Sequence, residues 1–325
     1  MIKIILLATG GTIAGSATSP SDVTGYQAGV LDVDTLLAAV PEIQTVADVT
    51  GEQLCNIDSK DMTDEIWLRL AARINEIFAG NEADAVVIAH GTDTMEETAL
   101  FLSLTVPVEK PVVLTGAMLP ATAKHADGPR NLLDAVRVAA IPEAMGKGVL
   151  IVMNGKIYAA KEATKIHTTK LDAFASPDFG PLGRVEAEDI VFDRVPHNPT
   201  RLHFSAKTPL PRVDILYGHE GDDGALVEAA VHAGAKGIIY AGLGNGNLPR
   251  LAEQALARAA AEGVTVVRSS RTNGGPVTSS LPSYTEAGFI ESAALNPQKA
   301  RVLLRLALTR TSDALEISRL FAACR

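Results

Sequence analysis

IKIILLATGGTIAG, residues 2–15, decides the architecture: an almost continuous apolar run, IKIILLA at 2–8, leads straight into two glycines and a threonine. An apolar run without alternation is what a strand covered on both faces requires, because neither side then meets water. DAVVIA at 84–89 repeats the pattern, and VVIAHGTDTMEE at 86–97 ends it again on a Gly-Thr pair. PVVLTG at 111–116 and KGVLIVM at 147–153 are two more strands of the same kind. Helical periods separate them. TDEIWLRLAARINEIF at 63–78 sets Ile66, Leu70, Ile74 and Ile77 on one stripe. Thr63 is placed to cap it, and Asp64 and Glu65 suit the positive end of its dipole. GPRNLLDAVRVAA at 128–140 puts Pro129 at a first helical position.

RVPHNPTRLHFSAKTPLP at 194–211 breaks this rhythm with four prolines and mixed polarity, and is expected to be a linker. After it, VDILY (213–217), GIIYA (237–241) and VTVVRSS (264–270) alternate with helical segments at 224–233, 249–262 and 296–309. The expected fold is therefore α/β in two domains, each a mostly parallel sheet flanked by helices. The larger covers 1–193 and the smaller 212–325.

The whole chain of 325 residues is 47% hydrophobic and 21% charged, as ordinary globular proteins are. A formal charge of −9 and only 4% aromatics argue against nucleic acid, which wants basic faces and stacking platforms. No run reaches the roughly 20 apolar residues of a membrane helix. The N-terminal run is too short for a signal peptide and lacks a cleavage site, so it reads as a buried strand. The expectation is a cytoplasmic protein, or a periplasmic one if a leader preceded this sequence. Two distant cysteines, Cys55 and Cys324, suggest neither a zinc site nor a disulfide scaffold. None of the seven histidines has a metal-site spacing such as HExxH, and His90 reads as structural. These spacings lead to no expectation of a metal site.

Ligands of open α/β sheets gather at the carboxyl ends of the strands, where both Gly-Thr pairs fall. ATGGTIAGS has no lysine after its glycines, so it is not a Walker phosphate loop, and its glycine spacing is not GxGxxG. GLGNGN at 242–247 is also one residue out of step for a dinucleotide. Threonine has another use: its hydroxyl attacks carbonyls once a base takes the proton, and N–H groups of a Gly-rich turn can hold an oxyanion. Equally, Gly10, Gly11 and Gly91 could serve only tight turns, with Thr12 and Thr92 as caps. Asp93 beside Thr92, and Lys165 in ATKIHTT (163–169), a polar loop after the fourth strand, favour chemistry. A carboxylate can position a lysine, and a lysine of lowered pKa can deprotonate a hydroxyl or water.

These segments resemble the bacterial-type L-asparaginases and glutaminase-asparaginases, in register over essentially the whole chain. LATGGTIAG and HGTDTMEETA are similar to that family's two signature segments. TGEQL (50–54), GAMLP (116–120), ADGPRNL (126–132), FGPLG (179–183), AGLGNGN (241–247), VVRSSR (266–271) and LNPQKARVLLRLALTRTSD (295–313) also match. The resemblance implies hydrolysis of an amino-acid side-chain amide, without cofactors. It implies Thr12 as nucleophile, with Gly11 beside it and Tyr26 on a mobile lid. Thr92, Asp93 and Lys165 would form a second activating cluster. Ser59 and Asp93 would hold the ends of a small amino-acid amide, and Ala117 would lend its carbonyl to the amide nitrogen. Asn247 would reach a neighbouring subunit's site in a homotetramer.

Two places depart from the family pattern. NIDSKDM (56–62) carries Asp58 and Lys60 around Ser59, and Lys60 would add positive charge near the substrate's ends. The segment 272–288, read as a loop, has Glu286 as its first carboxylate where the family supplies a glutamate to the α-ammonium. A glutaminase-leaning enzyme, a non-catalytic amino-acid-binding protein and an amidotransferase subunit are the rival readings, with a nucleotide-binding α/β protein behind them. An amidotransferase subunit is expected to carry an extra N-terminal domain, for which a first strand at 2–8 would leave no room, and a nucleotide-binding protein is expected to show a phosphate lysine.

Overall fold

Five strands lie parallel in one sheet, the four inner ones apolar enough to be covered on both sides and the one at the edge mixed. In the computed structural model, which describes residues 1–19, 21–22, 25–187, 189–196 and 209–324, they are β1 (Lys3–Gly10), β2 (Asp48–Ile57), β3 (Ala85–Ala89), β4 (Val112–Thr115) and β5 (Val149–Met153). Three antiparallel strands extend the sheet: β6 (Lys156–Ala159), β9 (Gly183–Val185) and β10 (Ile190–Phe192). Between them comes a separate hairpin of β7 (Thr164–Lys165) and β8 (Phe174–Ala175). The order across the sheet is β10-β9-β6-β5-β4-β3-β1-β2. From β1 the chain first goes to one side, to β2, and then returns to the other, to β3. This reversal makes the carboxyl ends of β1 and β3 the switch point of the sheet, where such folds hold their ligands.

β3, β4 and β5 are wholly buried, as their unbroken apolar runs require. The helices of this unit are α1 (Val33–Ala38), α2 (Ile43–Val46), α3 (Asp64–Ala79), α4 (Met95–Thr105) and α5 (Gly128–Ala140). In α3, Thr63 caps the helix by accepting from the Ile66 N–H, and Leu70, Ile74 and Ile77 are buried. Ile66 is only partly covered, and Trp67 takes the buried place beside it. Trp67 stacks on Phe101 of α4 with ring centroids 4.9 Å apart. Pro129 is the second residue of α5 rather than the first, since the helix begins at Gly128 with Asp127 at the N-cap. β1 pairs with β3 from Ile4↔Ala85 to Ala8↔Ala89, which brings the two Gly-Thr turns side by side.

The chain divides into two compact units, Met1–Arg201 and Leu202–Arg325. Most of the proline-rich segment expected as linker, 197–208, lies outside the described residues. The second unit is a parallel sheet of β11 (Val213–Tyr217), β12 (Gly237–Gly242), β13 (Thr265–Ser270) and β14 (Ile290–Glu291), in that order. Its helices are α6 (Ala225–His232), α7 (Arg250–Ala261), α8 (Pro282–Glu286), α9 (Pro297–Ala307) and α10 (Ala314–Ala322). The segment 272–288 is thus not all loop: Pro282 opens α8 in its last third.

Candidate active site

The turn after β1 exists because residues 10 and 11 are glycines. Both have positive φ, 102° at Gly10 and 80° at Gly11. A Cβ on Gly10 would stand 2.4 Å from the Ile57 carbonyl oxygen, and one on Gly11 2.4 Å from the Cα and N of Gly91. The glycines therefore let the two turns touch. Immediately past them Thr12 begins a single 3-10 turn, Thr12–Ala14, and is buried. Ser16 and Gln27 exchange main-chain hydrogen bonds at 2.9 Å, so the segment after Gly25 runs back beside the turn. Tyr26 is thereby carried to Thr12, and the two hydroxyl oxygens are 2.6 Å apart.

The turn after β3 faces it. Lys165 Nζ donates to Thr92 Oγ1 at 2.9 Å and to Asp93 Oδ1 at 2.6 Å. Because Thr92 Oγ1 accepts from the ammonium, its own O–H is left to point elsewhere. Lys165 is on β7 rather than on a free loop, and that strand is what holds it. The Lys165 side chain is only 14% exposed against 58% for Asp93, so the cation sits inside and its partner at the mouth. Glu96, buried in the first turn of α4, accepts the Lys165 main-chain N–H at 3.4 Å. Thr12, Tyr26, Thr92, Asp93 and Lys165 line one pocket of about 240 Å³, together with Met118, Leu119, Thr168 and Thr169. The main-chain N–H groups of Thr12 and Thr92 bond to no described residue, which leaves both as donors for a ligand oxygen.

Ser59 lies behind the pocket wall, 3% exposed, with its Oγ accepting the Asp93 N–H at 3.2 Å. Lys60 is 64% exposed, binds Asp58 and approaches Asp61 at 3.7 Å. It is not among the residues lining the pocket. Ala117 is fully buried next to the lining residue Met118. Its neighbours are fixed: Asp127 accepts the N–H groups of Met118 and Leu119, and Asn131 donates to the Gly116 carbonyl at 3.0 Å. Asn247 and Glu286 are exposed residues of the second unit, Asn247 at the close of a tight turn bridged to Leu243. Arg268, fully buried on β13, donates to the carbonyls of Gly246 at 3.2 Å and Thr278 at 3.0 Å, and so holds that turn to the segment after it.

Behind the Thr92 turn runs a hydrogen-bond chain that sequence reasoning missed. Trp67 Nε1 donates to Thr98 Oγ1 at 2.8 Å, and Thr98 Oγ1 is 3.0 Å from His90 Nε2. Since the Gly91 carbonyl can only accept, His90 Nδ1 carries the N–H that reaches it at 2.6 Å, and in the neutral ring Nε2 accepts from the Thr98 hydroxyl. Full burial pushes the His90 pKa down to about 4, so the ring is neutral and the tautomer settled. The chain pins the peptide that precedes Thr92.

Comparison with known families is decisive at this point. Residues 3–198 match the family model of the N-terminal asparaginase domain, and residues 212–321 that of the glutaminase/asparaginase C-terminal domain. The chain belongs to the asparaginase family. Within it, the chain is 49% identical over 323 residues to a Bacillus subtilis protein named L-asparaginase 2, a match covering 98% of this chain and 86% of that one. It is 46% identical over 324 residues to a Haemophilus influenzae protein named a probable periplasmic L-asparaginase, covering 98% and 92%. The crystal structure of a probable cytoplasmic L-asparaginase from Campylobacter jejuni superposes with a TM-score of 0.96 at 47% identity, over 99% of this chain and 100% of that one. The asparaginase fold thus accounts for both units. No helix among the described residues is long and apolar enough to cross a membrane.

Proposed function

We propose that this asparaginase-family chain hydrolyses the side-chain amide of L-asparagine to L-aspartate and ammonia, with Thr12 as nucleophile. One observation carries the reading: a buried threonine hydroxyl 2.6 Å from a tyrosine hydroxyl shares a small pocket with a threonine held by a lysine–aspartate pair. Thr12 Oγ1 attacks the amide carbon while its proton is relayed through the Tyr26 hydroxyl to the amide nitrogen. The carbonyl oxygen gains the charge, and main-chain N–H groups of the two glycine turns stabilise it. Collapse expels ammonia and leaves an ester on Thr12. Water then attacks that ester, its proton relayed through the Thr92 hydroxyl and Lys165 to the Asp93 carboxylate; the bond to Thr12 Oγ1 breaks, aspartate is released and Thr12 Oγ1 is reprotonated.

The remaining assignments follow the same reading. Asp93 takes the α-ammonium, and Ser59, through the Asp93 main chain, sets the end of the pocket. The Ala117 carbonyl accepts from the amide nitrogen, and Gly11 shapes the turn. Lys60 acts at most at a distance, since Asp58 and Asp61 hold its charge. Asn247 and Glu286 serve the pocket of a neighbouring subunit in a tetramer, which fits the exposure of both. The division of labour is a catalytic domain at 1–193 and an assembling domain at 212–325, and the location is the cytoplasm. Ammonia release from L-Asn, L-Gln and D-Asn, measured side by side, tests the substrate. Turnover of L-Asn well above L-Gln supports the reading, turnover led by L-Gln shifts it to a glutaminase, and binding without turnover overturns it.

A further inference from the structure

Thr168 and Thr169 form one wall of the pocket, in the connection between β7 and β8. The connection is closed at its base by the Ile166 N–H donating to the Ala173 carbonyl at 2.7 Å. Inside it one side chain organises the backbone: His167 Nδ1 accepts the main-chain N–H groups of Thr169 and of Lys170, both at 3.1 Å. A main-chain N–H can only donate, so Nδ1 holds a lone pair and the ring proton is on Nε2. The imidazole here does what an asparagine or aspartate oxygen does when it folds the next residues of a turn. Protonation would place an N–H on Nδ1, set a donor against two donors, and break the arrangement.

We infer that neutral His167 is the positioning residue of the Thr168–Thr169 wall, and that its protonation releases the wall and weakens substrate binding. This rests on the reading of the pocket as an asparagine site. Among the described residues, Tyr158 of β6 donates to the Phe174 carbonyl of β8 at 2.7 Å, and the charged groups bonded to the hairpin are few. Lys165 is paired with Asp93 on the pocket side, and Glu96 of α4 accepts from the Lys165 main chain. Lys170 and Asp172 belong to the connection itself, Asp172 holding Lys156 of β6 at 2.8 Å. The effect is on KM more than on kcat, because Thr168 and Thr169 line the pocket whereas His167 is not among its lining residues.

The test uses the full-length enzyme and two substitutions. His167→Asn offers an oxygen close to where Nδ1 stands, and it accepts at every pH. His167→Ala offers nothing. KM and kcat for L-Asn are measured from pH 5 to 8, and amide hydrogen exchange at Thr169 and Lys170 is read on the same proteins. The expected result is a KM that rises toward acid in the wild type, a KM that loses this rise in His167→Asn, and a KM raised about tenfold at every pH in His167→Ala, the effect of one or two lost hydrogen bonds. Exchange protection should follow the same order. A His167→Asn enzyme that keeps the acid rise, or a His167→Ala enzyme with wild-type KM and protected amides, overturns the inference. A wild type that does not turn over L-Asn would overturn the reading of the pocket instead, and the exchange data alone then decide His167. Protection at pH 8 that is lost at pH 5 supports its role, and protection at both refutes it.

Discussion

Gly11→Ala is the perturbation with the most to say about why the two turns carry glycine. Gly11 stands at φ 80° and ψ −171°, a conformation that is essentially glycine's alone. Another residue held there costs about 1–3 kcal/mol in backbone strain. The added Cβ would lie 2.4 Å from two backbone atoms of Gly91, where ordinary contact begins at 3.4 Å. No side chain can swing away, so the turns must part by about 1 Å, and overpacking of this sort costs about 1–3 kcal/mol more. The total loss of stability is about 2–6 kcal/mol. The same 1 Å separates Thr12 from the Thr92 cluster, and a displacement of that size costs about 100-fold in rate. Urea denaturation and ammonia release on the purified variant measure both. A variant within about 0.5 kcal/mol of wild type, the range of an inconsequential surface change, and with undiminished turnover would refute the close approach of the turns.

Lys165→Met keeps most of the stem and removes the ammonium, so kcat should fall by about 10²–10⁴-fold, the range of general acid–base help, with little change in melting temperature. A near-normal rate would make Lys165 a surface charge. His90 sets an acid limit on stability. Its pKa drops from 6.5 to about 4 on burial, so below pH 6.5 the unfolded chain binds a proton that the native state refuses. Stability should therefore fall as pH drops from 6.5 to about 4, by on the order of 3 kcal/mol, and this contribution should level off below. Urea titrations at a series of pH values check it, and a flat profile across that interval contradicts the buried neutral ring. Glu286→Gln should raise KM for L-Asn modestly and leave kcat nearly unchanged if Glu286 reaches a neighbour's ammonium site. In a dilution series followed by sedimentation, activity should fall as the assembly dissociates, and fully active monomers would refute the shared pocket.

The parallel strands were legible because burial on both faces writes a continuous apolar run, and β1, β3, β4 and β5 each carry one. β2 was not, since DVTGEQLCNI at a sheet edge mixes exposed and buried positions without a steady alternation. α4 was missed for the opposite reason: nearly every residue of MEETALFLSLT is buried, so no polar stripe betrays a helix. The pairing of Lys165 with Thr92 joins the turn after the interior strand β3 to a residue 73 positions later, and the β7–β8 hairpin that carries Lys165 is too short to show in composition. Thr12, Thr92 and Asp93 could be placed at strand ends from the pattern alone. Tyr26 could not, and owed its place to family resemblance, which the bridge between Ser16 and Gln27 explains. Thr168, Thr169 and the His90–Thr98–Trp67 chain left no local signal, because their meaning lies in what folds against them.

The central claim is that the Thr12 hydroxyl opens the amide of L-asparagine, and Thr12→Ala tests it most directly. The substitution removes the hydroxyl from a buried 3-10 turn whose glycines and main-chain hydrogen bonds remain, so the fold should persist, as circular dichroism and the melting curve would show. Ammonia release from saturating L-Asn, compared with the wild type at equal protein concentration, is the measurement. The account predicts a folded variant slower by several orders of magnitude, because unaided amide hydrolysis is so slow. A folded Thr12→Ala enzyme that keeps a substantial fraction of wild-type release would contradict it.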